Sequence, residues 1–79
     1  MILIDYLGHM VSDEGEEELH RFARRVGLKR VWFQDQSDHP HYDLTTTPMR
    51  LKAMKLGASM VRPRHLIECA WWSREKREG

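Results

Sequence analysis

The sequence predicts a small α/β domain of order βαβαβα, a three-stranded parallel sheet with helices packed on its faces. Three observations predict it. Short apolar segments alternate with segments of helical period, and alternation of this kind implies parallel strands joined by right-handed crossovers. Ile2-Leu3-Ile4 is apolar without polar interruption, as expected of a strand covered on both faces. Helix start and stop residues stand at the expected places between the apolar segments.

After the first strand, residues 6–12 read as a loop centred on Gly8 and His9. Asp13 can cap the first helix, with Glu16 completing a capping-box pattern. The acidic run from Glu14 to Glu18 suits the positive end of the helix dipole. Leu19, Phe22, Ala23 and Val26 then form one apolar stripe, and Gly27 provides the stop. Arg30-Val31-Trp32-Phe33 has the branched and aromatic residues of a second strand. Residues 34–46 form a long polar loop rich in Asp and His, a length that often accompanies function.

Thr47-Pro48 opens the second helix, with Leu51, Met54 and Ala58 inward and Gly57 as its stop. Ser59-Met60-Val61-Arg62 is the third strand. Pro63 opens a last helix whose inner face is Leu66, Ile67 and Ala70, joined by Trp71. The whole of 1–79 is one domain, and 71–79 is a charged tail expected to fray.

A hydrophobic content of 41% with 32% charged residues argues against disorder. A chain of 79 residues has a thin core, which a metal, ligand or partner subunit could reinforce. The single cysteine, Cys69, forms no internal disulfide and provides no thiolate cage, which predicts a reducing, cytoplasmic setting. No run reaches the roughly 20 apolar residues needed to cross a bilayer, so no membrane partner is expected. The first four residues are too short for the apolar core of a signal peptide. The net charge of +1 hides an asymmetry: five Lys/Arg against nine Asp/Glu in 1–43, then eight against three in 44–79. Such asymmetry can orient an anionic ligand or partner, or reflect solvated helix faces of opposite sign.

Ligands of open α/β sheets bind outside the carboxyl ends of the strands. Asp5, His9, Ser12 and Asp13 follow the first strand; Gln34, Asp35, Asp38, His39, His41 and Asp43 follow the second; Arg62 and Arg64 follow the third. A site is therefore expected at that edge. In His41-Tyr42-Asp43 the carboxylate could fix the tautomer of a histidine acting as base or ligand. The same tripeptide could instead be a loop clasp. His20 flanks the apolar stripe and reads either as a packing residue or as a further ligand.

His9, His41 and Asp43 are the candidate metal ligands, since two imidazoles and a carboxylate suit zinc or another first-row ion and leave room for water. No HExxH, GxSxG, GxGxxG or Walker pattern occurs. Trp71-Trp72 beside Arg74, Lys76 and Arg77 suggests a second class of function. One indole would fill the core and the other would serve an interface, with a homodimer favoured over nucleic acid.

Taken together, His9, Ser12-Asp13, Glu18-Leu19-His20 with Phe22-Ala23, Phe33-Gln34, His41-Tyr42-Asp43-Leu44 and Gly57-Ala58 resemble domain-of-unknown-function family 4031, small bacterial and phage proteins. The resemblance runs from about residue 1 to residue 68. It departs in an abbreviated segment before His9, where relatives often carry a second acidic residue after the one matching Asp5, and in the Trp-rich C-terminus. It implies His9, Ser12, Asp13, His20, Gln34, His41 and Asp43 as positions to test, and it implies no reaction.

Two functions are expected in consequence. The first is binding, with or without hydrolysis, of a phosphate-containing or nucleotide-like ligand. His41, Asp43, His9 and His20 would be catalytic, and Gln34, Ser12, Asp13, Asp5 and Arg62 would bind the ligand, with or without a divalent metal. The second is a non-enzymatic protein- or nucleic-acid-binding module using the basic, Trp-bearing C-terminus.

Overall fold

The computed structural model describes residues 1–35 and 39–73. Strands β1 (Ile2–Ile4), β2 (His9–Ser12), β3 (Tyr42–Asp43) and β4 (Ser59–Met60) form one sheet in the order β3-β2-β1-β4. Helices α1 (Glu16–Val26), α2 (Thr47–Lys55) and α3 (Pro63–Cys69) complete it. The α/β class holds, but the sheet is mixed and not three-stranded parallel. β1 pairs antiparallel with β2, β2 antiparallel with β3, and only β4 lies parallel to β1.

The difference begins at Gly8. Its φ of +93° closes a tight turn in which Gly8 N–H donates to Asp5 O, and the chain reverses directly into β2. A Cβ at Gly8 would lie 2.8 Å from the Leu44 carbonyl oxygen, so this position needs glycine twice over. The segment expected to be a loop is therefore a hairpin strand. The strand expected at residues 30–33 is instead a 3₁₀ turn (Arg30–Trp32), with Val31 84% exposed. Branched and aromatic residues favour strands only where a face is there to cover them, and here Phe33 alone packs on the core.

Alternation along β2 sorts the sheet into two faces. Ile2, Ile4, Met10 and Tyr42 join Leu19, Phe22, Ala23 and Val26 of α1 and Ala53 of α2 in the main core. Leu3 and Val11 face the other way, onto Leu66 of α3. The stripe expected of α1 is all buried, and Gly27 (φ +99°) ends the helix by donating to Ala23 and Arg24 carbonyls. Its start differs: Gly15 holds the cap position without a side-chain cap, while Ser12 Oγ accepts from the Glu14 and Gly15 amides.

α2 begins at Thr47 with proline in the first turn, as expected, but the capping hydroxyl is that of Thr46, whose Oγ1 accepts from Met49 N–H, and not that of Thr47. Its buried face is Ala53, flanked by Met49 and Leu56, whereas Leu51 and Met54 are exposed and Ala58, beyond the helix, is buried. α2 is apolar on several sides, so more than one helical stripe was available. β4 stops at Met60, two residues before the expected Arg62. In α3, Leu66 is buried and Ile67 exposed. Just past it Ala70 is buried, and Trp72 is the covered indole while Trp71 is 48% exposed. Their N–H groups donate to Ser12 O and Asp13 O respectively, pinning the segment after α3 to the end of β2. Asp38, the basic residues Arg74, Lys76 and Arg77, and the expected fraying of the tail lie outside the described residues. Among the described residues no helix is long and apolar enough to cross a membrane.

Candidate metal centre

His9 and Asp43 are direct partners across β2 and β3. They share the face that carries Val11, and α3 covers that face only farther along the strands, at Leu3 and Val11. His41 precedes β3 and is tied to Gln34 by two backbone hydrogen bonds, at 2.8 and 3.2 Å. One donor atom from each of His9, His41 and Asp43 lies within 4.8 Å of the others. The three candidate ligands expected from sequence thus meet at the start of β2.

The hairpin turn orients the first imidazole. Asp5 is buried, 1% exposed, and its Oδ1 accepts from the Leu7 and His9 amides at 3.0 and 2.9 Å. Its Oδ2 lies 3.1 Å from His9 Nδ1. A carboxylate only accepts, so Nδ1 carries a proton, as a histidine positioned to offer its Nε2 would. His41 Nδ1 lies 2.8 Å from the His39 carbonyl oxygen, which also only accepts. Its other ring nitrogen, Nε2, lies 3.2 Å from Asp43 Oδ1. The His39 ring stacks on His41 at 4.9 Å, and the His9 ring meets His41 edge-on at 4.9 Å.

Other expected site residues fall elsewhere. Ser12 and Asp13 lie at the opposite end of β2, because the hairpin carries the chain away from Asp5. Ser12 Oγ donates to Glu18 at 2.6 Å, on the α1 face. His20, on α1, has its Nε2 3.2 Å from Glu16 and its Nδ1 2.7 Å from the buried Tyr42 hydroxyl. Phe33 packs edge-on against this ring at 4.6 Å. Burial, opposed by Arg30, pushes the Tyr42 phenol above its ordinary value. Arg62 is exposed at the start of α3, beside β4 at the edge of the sheet remote from β3. Gln34 stays close through its bridge to His41.

A second acidic group, Asp13, Glu14 and Glu18, holds the Met1 α-amino group, with contacts of 2.8 Å to Asp13 and 2.9 Å to Glu18. Partial burial would lower this amine's pKa, but its hydrogen bonds to the three carboxylates raise it to about 11. Burial, reinforced by Asp13 and Glu68, pushes the Cys69 thiol up, which keeps it a thiol.

A family model covers residues 4–73, and its description is "Protein of unknown function (DUF4031)". The chain belongs to this family. No curated protein and no solved structure matches it. Membership in DUF4031 confirms the resemblance drawn from the His9, His41-Tyr42-Asp43 and neighbouring motifs, and it attaches no reaction to them. Sequence reasoning underrated His39, whose carbonyl and ring both support His41. The signal available was the alternation of His39 and His41 in an extended stretch, which puts carbonyl and imidazole within reach.

Proposed function

We propose that this DUF4031 domain binds a divalent first-row metal ion through His9, His41 and Asp43, and uses it to bind and hydrolyse a phosphate-containing ligand. One observation carries the reading: both imidazoles are held by Nδ1, one on a buried carboxylate and one on a carbonyl, beside a third anionic donor. That is how metal-ligating histidines are usually oriented.

Two histidines and one carboxylate leave coordination positions for water and for a phosphoryl oxygen. The ion would lower the pKa of the water and polarise the phosphorus centre. Water oxygen bonds to phosphorus, the ester P–O bond breaks, and the water's proton ends on the leaving oxygen. The single cysteine suits the reducing cytoplasm in which the protein is placed on this reading. The alternative is a binding module built on the basic, Trp-bearing C-terminus; of its described residues Trp71 is the exposed tryptophan, because Trp72 is buried with its N–H donating to Ser12 O.

The test is thermal unfolding with zinc, manganese and magnesium, alone and with inorganic phosphate. A ligand of the folded state at a hundredfold excess over its Kd adds about 2.7 kcal/mol. A rise in midpoint with a first-row ion that vanishes in His41→Ala supports the reading. An equal rise in His41→Ala removes the site from it.

A further inference from the structure

Beside the metal centre, between the 3₁₀ turn and the start of α2, lies a cleft of about 300 Å³. That is the lower end of the range for small-molecule sites, roughly 300–1,000 Å³. Leu28, Val31, Trp32 and Met49 supply its apolar wall, and Gln34, Asp43 and Thr45 its polar groups. Trp32 is 42% exposed although large and aromatic, and Lys29 Nζ stands 5.6 Å from its ring. Asp43 belongs both to this cleft and to the His9–His41 group, and Gln34 is bonded through its backbone to His41. The two sites are therefore contiguous.

We propose that this cleft receives the base of a nucleotide whose phosphate reaches the His9–His41–Asp43 centre. This names the ligand class for that centre, and so rests on its reading as a phosphate-handling site. A heteroaromatic base has an apolar face for Trp32, Val31 and Met49. Its edge carries donors and acceptors, which the amide of Gln34, the hydroxyl of Thr45 and the carboxylate of Asp43 can meet. A hydrocarbon chain would offer those three polar groups no donors or acceptors. A sugar alone would leave the apolar wall without any.

The experiment is a calorimetric titration of the full chain with the four common nucleoside 5′-monophosphates and with inorganic phosphate, each with and without zinc. At least one nucleotide should bind roughly tenfold or more tighter than phosphate, the gain expected of a stacked base. Trp32→Ala should erase that preference without changing phosphate binding, and Trp32→Phe, which keeps a flat ring, should restore most of it. Equal affinity for nucleotides and phosphate, or a preference that survives Trp32→Ala, overturns the assignment of the cleft. Zinc binding and base preference are read separately. A preference without zinc binding removes the metal and keeps the cleft, and zinc binding without preference does the reverse.

Discussion

Strand β3 separates two histidine environments. On the α1 face, His20 has each ring nitrogen beside a protein group, Glu16 on one side and the Tyr42 hydroxyl on the other, with Phe33 against its edge. On the opposite face, His9 and His41 are each held at Nδ1, and their remaining nitrogens belong to a group that includes the half-exposed carboxylate of Asp43. The residue type is the same and the physics differs. His20 satisfies a buried phenol, as a structural histidine does. The other pair gathers electron-pair donors that a proton or a cation would bring together.

The comparison breaks most readily at His41. Replacing it with alanine should weaken first-row metal binding by at least a hundredfold, measured by competition with a chromophoric chelator. His20→Ala should leave that affinity within a factor of about two, since His20 lies on the other face. Equal losses in the two variants would erase the distinction between the faces.

Next in size is Asp5→Asn. Loss of a partner that orients a metal-ligating histidine typically costs 10–100-fold in affinity, and a loss in that range is expected here. Because Asp5 also accepts two backbone amides in the hairpin turn, its replacement should lower the unfolding midpoint of the metal-free protein as well. Unchanged zinc affinity would mean that the Asp5 contact does not set the His9 ring.

His20→Ala tests the other side. It leaves the Tyr42 hydroxyl buried without this acceptor, at a cost of about 1–3 kcal/mol in denaturant unfolding. Tyr42→Phe combined with His20→Ala should recover part of that loss, and simple additivity of the two single changes would argue against a shared hydrogen bond.

These environments were only partly legible in the sequence. α1 was, because its apolar stripe, acidic first turn and terminal glycine all pointed to the same helix. β2 was not, because His9 and Ser12 end a four-residue strand that follows a turn glycine, and polar ends beside Gly8 look like a loop. That hidden strand decides the site. It brings His9 opposite Asp43 and carries Ser12 and Asp13 away from them. His20 could not be sorted either, because whether a helix residue beside the stripe meets the site depends on which sheet face the helix covers. Gathering His9, His41 and Asp43 was within reach of the sequence through residue chemistry. Their support from Asp5 and His39 required the turn geometry.

The smallest expected effect concerns the acidic group around Met1. The amine's pKa is raised in the folded state, to about 11 from 8.0. Its contribution to stability is therefore fully present below about pH 8 and is lost as pH rises toward 11. Solvent exposure keeps that contribution small. A shallow fall in denaturant midpoint over this window, abolished by acetylating the amine, is the expected outcome. A flat profile would show that the contact adds nothing.

The most direct test of the central claim is the visible spectrum of the cobalt(II)-loaded protein, compared with His9→Ala, His41→Ala and Asp43→Asn. One site built from three side chains predicts a single equivalent of cobalt, with ligand-field bands that weaken or shift in all three variants and stay unchanged in His20→Ala. Bands unaffected by the loss of His9, His41 or Asp43, or no stoichiometric cobalt binding at all, would contradict it.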